Sequence, residues 1–273
     1  MAFKVGYFSN DPTVNPLMAT WSKVFLPYCD GGSQVGNLET PVSVNGKTIF
    51  YRGHRILDEI QANLTKGIMS AATEVVVSGC SAGGLSTFLH ADSWSSAFPS
   101  TTRVTAMPDS GFFLDYNMTA GSRVPYATMM RWVASAMNGS LPTSCVAQNP
   151  TDPSMCIFAE HVSSTLKTPT FPIQASYDSW QIANDLGVPS SDSSAINQWG
   201  QMVSQRLNDN LLRQPQHGIA LDSCYHHCGA EWDVLKFGTF TQATAHQDWY
   251  NHGASSQRVY NQSMTYPCAS CCA

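Results

Sequence analysis

Residues 72–90 read ATEVVVSGCSAGGLSTFLH, and the order of features in this stretch predicts the fold. Three valines at 75–77 predict a buried strand, residues 79–83 match G-x-S-x-G, and apolar residues then recur at helical spacing. A strand, a sharp turn and a helix are the context that a nucleophile elbow requires. We therefore expect Ser81 to be a nucleophile; the alternative is a glycine-rich turn with a solvent-exposed serine. Glycine has no Cβ atom that could clash, so we expect the strand and the helix to approach each other closely at Gly79, Gly83 and Gly84.

The composition of the chain is that of a globular protein with a substantial core. Its 273 residues are 43 % hydrophobic and only 12 % charged, which is enough for one large domain or two small ones, and we expect a single domain over residues 1–273. The net charge of −5 and the lack of a basic patch argue against a nucleic-acid partner. No apolar run approaches the roughly 18 residues of a membrane span. We expect a monomer.

Nine cysteines indicate an oxidising compartment, and their odd number leaves at least one unpaired within the chain. Cys145 and Cys156 lie eleven residues apart around a proline-rich loop and are expected to form a local disulfide. Glycosylation sequons begin at Asn63, Asn117, Asn138 and Asn261. These features predict a secreted protein, yet the first eight residues are not a signal peptide, so we expect the true N-terminus to be missing.

Strand and helix patterns alternate along the chain. Strands are predicted at 21–28, 75–77, 103–107, 171–176 and 218–222, and a hairpin is predicted around Asn45-Gly46. The strand at 218–222 is the last clear strand that the sequence predicts. Helices are predicted at 56–69, at 197–212 and from Trp232 onward, and residues 123–165 form either a lid or a plain insertion. The alternation predicts an α/β fold, with a mostly parallel sheet flanked by helices and connected by right-handed crossovers.

Chemically distinctive side chains follow several of these strands. Ser81, Asp178 and His227 each come after a predicted strand, in the serine–acid–histidine order of α/β-hydrolases. The imidazole would take the serine proton, and the carboxylate would orient the imidazole and stabilise its protonated form. Spacing leaves alternatives open: the acid could be Asp109 or Asp222, and the base could be His226. The loop 29–33 could line the site or be an ordinary glycine turn.

Several blocks of sequence together resemble the pectin acetylesterase/Notum family of serine esterases. The blocks are Tyr28-Cys29-Asp30-Gly31, Tyr51-Arg52-Gly53, Gly79-Cys80-Ser81-Ala82-Gly83-Gly84, Phe112-Phe113-Leu114-Asp115, Tyr177-Asp178-Ser179-Trp180-Gln181 and Ser223-Cys224-Tyr225-His226-His227-Cys228. The resemblance is closer to the plant-type enzymes. It implies an α/β-hydrolase-like fold, a triad of Ser81, Asp178 and His227, and no metal or organic cofactor. It also implies a cell-wall protein that removes acetyl groups from an acetylated polysaccharide, pectin. The Notum branch instead removes a lipid acyl group from a protein.

The resemblance also predicts where the chain departs from the family. Family members carry a Gly-Gly-Trp-Cys stretch upstream that would supply one oxyanion donor, and this chain starts too late to hold it. The backbone N–H of Ala82 would supply the other donor. We expect the chain to lack the family's N-terminal strands, unless Gly31-Gly32 substitutes; a relative impaired in this way could bind glycans without catalysis.

Two further expectations concern ligands. Arginines that could meet galacturonate carboxylates are Arg52, Arg55, Arg103 and Arg123. An alternative metal site would consist of Cys224, His226, His227 and Cys228. These residue types are zinc ligands, but their spacing is not a standard zinc spacing, so disulfide bonds are the better interpretation of the two cysteines.

Overall fold

The computed structural model describes residues 5–117, 124–229, 232–268 and 270–272. Its strands are β1 (Val42–Val44), β2 (Lys47–Ile49), β3 (Glu74–Cys80), β4 (Arg103–Asp109), β5 (Ile173–Ala175), β6 (Ile219–Asp222), β7 (Lys236–Phe237), β8 (Phe240–Thr241) and β9 (Val259–Asn261). Its helices are α1 (Gly53–Lys66), α2 (Ala82–Ala97), α3 (Tyr126–Ala136), α4 (Thr143–Gln148), α5 (Ala159–Ser163), α6 (Ser179–Gln181), α7 (Ser193–Asn210) and α8 (Gln242–His252).

The centre of the molecule is a sheet whose described strands lie in the order β3-β4-β5-β6-β9, each pair parallel. The longest pairing is β3 with β4, which runs from Glu74 opposite Arg103 to Cys80 opposite Asp109. All loops that leave the carboxyl ends of these strands therefore emerge at one edge of the sheet. The predicted α/β fold with a parallel sheet flanked by helices is confirmed, and the small hairpin β1–β2 turns at Asn45-Gly46 as expected.

Three predicted elements differ from the structure. Residues 21–28 are not a strand: the segment has no regular structure and instead lines a cavity beside β3, with Trp21 and Leu26 packed partly into the core. Packing accounts for Trp21 and Leu26, whereas the side chains of Val24, Phe25 and Tyr28 are exposed. The sheet does not end with β6, because the short strand 259–261 pairs parallel to it. The closing helix begins at Gln242, after the small hairpin β7–β8.

Helix α2 packs against β3 and β4 with almost no space for side chains at its beginning. A Cβ atom on Gly84 would lie 2.4 Å from the carbonyl oxygen of Asp109, and one on Gly111 would lie 2.2 Å from the carbonyl carbon of Gly84. A Cβ on Gly79 would lie 2.6 Å from the Gly83 backbone. The expected clash of a Cβ at Gly83 is wrong, since a Cβ there meets no atom within 4 Å among the described residues, although the Gly83 backbone itself lies close to Gly79 as expected.

This difference between neighbouring glycines predicts opposite effects of the same substitution. Gly84→Ala should lower the free energy of unfolding by about 1–3 kcal/mol, because its methyl group must push backbone away. Gly83→Ala should leave it unchanged or slightly higher, since alanine restricts the unfolded chain. Urea unfolding of both variants checks this, and equal losses of stability in the two would contradict the packing argument.

Candidate active site

Ser81 occupies the turn between β3 and α2 in a conformation that few non-glycine residues adopt. Its backbone angles are φ 59° and ψ −120°, and its N–H donates to the carbonyl oxygen of Asp109 at 2.9 Å. Such a backbone costs on the order of 1–3 kcal/mol and persists only where the surroundings enforce it. Here the tight packing at Gly84 enforces it. Ala82, the first residue of α2, places its N–H at the helix N-terminus, where hydrogen-bond donors are unpaired and favour negative charge.

His227 and Asp178 form a close pair at the same edge of the sheet. The Nδ1 atom of His227 lies 2.9 and 2.8 Å from the two Asp178 carboxylate oxygens. Asp178 is fully buried, and its Oδ1 also accepts the N–H groups of Trp180 and Gln181, each at 3.0 Å. These donors hold a carboxylate in place. The Nε2 atom of His227 is buried and has no hydrogen-bond partner within the described ranges, Ser81 Oγ included.

The neighbouring His226 is in a different chemical situation. Its Nε2 lies 3.0 and 3.1 Å from the Asp222 oxygens, and its Nδ1 lies 3.2 Å from the carbonyl oxygen of Cys228. A carbonyl oxygen can only accept, so Nδ1 donates to it, and both ring nitrogens of His226 have hydrogen-bond partners. The sequence could not separate the two histidines; the hydrogen bonds give His227 the geometry of a base and His226 that of a fixed donor.

A disulfide joins the serine loop to the histidine loop. Cys80, the residue before Ser81, is bonded to Cys228, the residue after His227, with their Cα atoms 5.7 Å apart. The structure thus brings the loops of Ser81, Asp178 and His227 to one place. Asp109 contacts neither imidazole by a hydrogen bond within the described residues, and Asp222 contacts His226 instead.

The remaining cysteines bear on the other expectations. Cys145 is paired with Cys156, as the sequence analysis expected. Cys224 and Cys228 are both in disulfides, so neither can act as a thiolate ligand, and the alternative metal site does not fit the structure. The other pairs are Cys224–Cys272 and Cys268–Cys271, and Cys29 is an exposed free thiol.

Aromatic rings lie close to His227, and a cavity lies beside Ser81. The rings of Phe113 and Trp180 lie 6.4 and 6.2 Å from the His227 ring. A cavity of about 620 Å³ opens beside Ser81 and continues along β3, lined mainly by apolar side chains. Residues on both sides of the turn Gly31-Gly32, Tyr28 and Gln34, line the same cavity, which agrees with the interpretation of that loop as a rim of the site.

Of the arginines suggested by the sequence, the three that the structure describes are engaged with other groups of the chain. Arg103 lies at the amino end of β4, far from the carboxyl edge, and stacks on the Tyr250 ring. Arg55 pairs with Glu39 at 2.7 Å, and Arg52 donates to the Glu39 carbonyl oxygen. Arg123 lies outside the described residues.

Comparisons with known proteins agree with this geometry. A family model described as pectinacetylesterase matches residues 1–273. The chain belongs to the pectinacetylesterase family. Pectin acetylesterase 11 of Arabidopsis thaliana is 32 % identical over 93 % of this chain and 71 % of its own length. Pectin acetylesterase 4 of the same plant is 35 % identical over 95 % of this chain and 63 % of its own length.

A solved structure of a related enzyme has the same fold. The Wnt deacylase Notum from Drosophila aligns with a TM-score of 0.85 and 25 % identity, covering 98 % of this chain and 79 % of the Notum chain. The resemblance stated from the sequence is confirmed, and the pectinacetylesterase family places the chain among the carboxylic ester hydrolases.

Sequence reasoning missed the groups that hold the two loops of this family member together. Asp109 and Ser110 at the end of β4 accept N–H groups from the histidine loop, and the bond between Cys80 and Cys228 crosses to the serine loop. One signal was visible, because one cysteine directly precedes Ser81 and another directly follows His227.

A second buried carboxyl, Asp185, lies close enough to Asp178 to interact with it electrostatically. Its two oxygens are buried and lack a hydrogen-bond partner in the part of the chain that the structure describes. Burial, followed by the charge of Asp178, raises its pKa from 3.8 to about 9. Asp185 is therefore neutral at pH 7, whereas Asp178 is surrounded by donors.

The raised pKa predicts how Asp185→Asn changes the dependence of stability on pH. In the wild type, the contribution of Asp185 to stability is complete below the unfolded pKa near 4 and is lost as the pH rises towards the folded pKa of about 9. Asp185→Asn removes this loss, so its stability relative to the wild type should rise between pH 5 and 8, by at most about 1.4 kcal/mol per pH unit. Urea unfolding at several pH values measures it.

The exposed Asp209→Asn variant is the matched control and should give a constant difference from the wild type across the same pH range. A constant difference for Asp185→Asn as well would contradict the assignment of Asp185 as a neutral carboxyl.

Proposed function

We propose that this protein is a serine esterase that removes acetyl groups from pectin, with Ser81 as nucleophile, His227 as general base and Asp178 as the acid that orients it. The observation that carries the proposal is the hydrogen-bonded pair of Asp178 and His227, in which Nε2 of His227 has no partner among the described residues. The disulfide Cys80–Cys228 links this pair to the strained turn of Ser81. Catalytic hydrogen bonds often tighten only with substrate present, so the missing Ser81–His227 bond is compatible with this role.

The proposed reaction follows from these positions. Ser81 Oγ attacks the acetyl carbonyl carbon while His227 Nε2 takes the hydroxyl proton, and Asp178 stabilises the imidazolium. The oxyanion is stabilised by the N–H of Ala82. Collapse breaks the bond to the sugar oxygen, which receives the proton from His227, and leaves an acetyl-serine. Water, deprotonated by His227, then releases acetate and restores Ser81.

The names and identities of the plant relatives support pectin as the substrate. A second candidate is the removal of a longer acyl chain, since the structurally similar Notum protein is a Wnt deacylase. The apolar lining of the cavity beside Ser81, which includes Leu26 and Val77, favours this alternative. The two candidates share the same chemistry and differ in the acyl group that they accept.

Several features support an extracellular setting at the cell wall. The four disulfides found among the described residues are stable in oxidising compartments. As a separate finding that does not bear on location, the described helices include none that could cross a membrane. The sequon asparagines Asn63, Asn138 and Asn261 are exposed, so a glycan could be attached there. The proposed catalytic residues all belong to one chain, so the proposed monomer needs no residue from a second copy.

Loss of the nucleophile tests the proposal directly. Ser81→Ala should reduce kcat for acetate release from acetylated pectin by about 10⁶-fold, the loss seen when another serine hydrolase loses its nucleophile. Ser96→Ala, an exposed serine on the same helix α2, is the matched control and should keep wild-type activity. Equal kcat values for Ser81→Ala and the wild type would contradict the proposal. A folded wild type that binds pectin fragments without releasing acetate would instead indicate a non-catalytic glycan-binding protein.

A comparison of acyl chain lengths separates the two candidate substrates. The proposed pectin esterase should hydrolyse p-nitrophenyl acetate with a kcat/KM at least about 10-fold above that for p-nitrophenyl octanoate, because specificity is a ratio of these constants. The reverse preference would select the long-chain deacylase. Labelling of Ser81 by a fluorophosphonate confirms in either case that the same serine reacts.

A further inference from the structure

Asp109 is the last residue of β4 and Ser110 follows it directly. Strand β4 lies between the strand that leads to Ser81 and the strand that leads to Asp178. Neither residue forms a hydrogen bond with the His227 ring within the described part of the chain. Both are almost fully buried, at 1 % and 2 % exposure. The proposed reaction assigns no chemical step to either residue. The burial of the Asp109 carboxyl and of the Ser110 hydroxyl therefore needs another explanation.

On one side, these two residues hold the nucleophile turn and the sheet. The carbonyl oxygen of Asp109 accepts the N–H of Ser81 at 2.9 Å, and the N–H of Ser110 donates to the carbonyl oxygen of Ile173 in β5 at 2.8 Å. The position of Ser81 is therefore fixed against the backbone of β4, and β4 is in turn fixed against β5.

On the other side, their side chains hold the backbone that follows His227. The Oγ of Ser110 accepts the N–H of Cys228 at 2.8 Å, and the Asp109 carboxylate accepts the N–H of Gly229 at 2.9 and 3.1 Å. The Ser110 hydroxyl donates its own hydrogen to Asp109 Oδ1 at 3.1 Å. One hydroxyl thus accepts from the histidine loop and donates to the carboxylate beside it.

Strained backbone at both ends of this contact shows that the arrangement is enforced. Ser110 has φ 49° and Cys228 has φ 71°, both in the left-handed region. Each costs on the order of 1–3 kcal/mol unless the surroundings compensate. Burial also raises the pKa of Asp109 to about 6, against the opposing effect of the Gly229 N–H. Three unfavourable features lie within one small network that connects the two loops of the site.

We propose that Asp109 and Ser110 are positioning residues that set the distance and direction between Ser81 Oγ and His227 Nε2. This inference rests on the proposed function. It identifies the groups that hold the proposed nucleophile and the proposed base in the relative positions that the reaction needs. The disulfide Cys80–Cys228 ties the same loops through side chains, whereas the Ser110 hydroxyl fixes the direction of the backbone directly after His227. Because the covalent tie remains, loss of the hydroxyl alone should leave a folded protein.

Ser110→Gly separates positioning from stability. Glycine relieves the left-handed backbone strain, whereas loss of the hydroxyl leaves the Cys228 N–H without its acceptor. These effects on the free energy of unfolding oppose each other, so the variant should remain folded. The kcat for p-nitrophenyl acetate should nevertheless fall about 10- to 100-fold with KM within about twofold, since small displacements of reacting groups cost this much. The rate of Ser81 labelling by a fluorophosphonate should fall in parallel, which a purely structural role would not produce.

Asn45→Gly is the matched control, because it relieves left-handed strain at φ 51° in the exposed turn of the hairpin β1–β2 and should leave kcat unchanged. A second variant, Asp109→Asn, keeps an oxygen that can accept from Gly229 and should lose less activity than Asp109→Ala. An active wild type together with an undiminished kcat in Ser110→Gly overturns the inference. An equal loss in the two Asp109 variants also overturns it. An inactive wild type instead overturns the proposed function, and this inference falls with it.

Discussion

The parallel pairing of β3 with β4 determines where every part of the site can lie. It places Cys80 opposite Asp109, so that the turn of Ser81 and the end of β4 leave the sheet side by side. The N–H of Ser81 can then reach the carbonyl oxygen of Asp109, and Gly84 can lie against Gly111. A shift of one residue in this register would turn every side chain of β3 to the opposite face of the sheet.

The other loops of the site use the same edge but carry groups in contrasting electrostatic environments. Asp178 is surrounded by N–H donors, whereas Asp185 is buried without partners among the described residues and stays neutral. Likewise, both ring nitrogens of His226 are engaged, while His227 keeps Nε2 free of a partner in the described part of the chain. In each pair the hydrogen bonds distinguish two roles. Asp178 and His227 are placed for the proposed chemistry, whereas Asp185 and His226 belong to the surrounding structure.

Much of the fold could be predicted because its strongest signals are local. The valine run at 75–77 and the glycines after it specify a strand, a turn and a helix without reference to distant residues. The local signal fails at 21–28 and 259–261 because their structure depends on what lies beside them: the first is apolar yet finds no strand partner among the described residues, and the second is a short strand only because β6 pairs with it. The helix expected from Trp232 begins at Gln242 because the Thr241 hydroxyl caps it there.

The order of the central elements from β3 to β6, the types of the candidate catalytic residues and their positions after the strands follow from the sequence alone, because hydrophobic period and turn chemistry act within a few residues. The short-range pairing of Cys145 with Cys156 follows from it too. Tertiary contacts were needed to tell which histidine keeps an unpartnered nitrogen and which carboxyl binds which ring. They were also needed to show that Cys80 reaches Cys228, 148 residues away in the chain. These contacts depend on hydrogen-bond distances between loops of different strands, and such distances exist only once the sheet has brought the ends of its strands together.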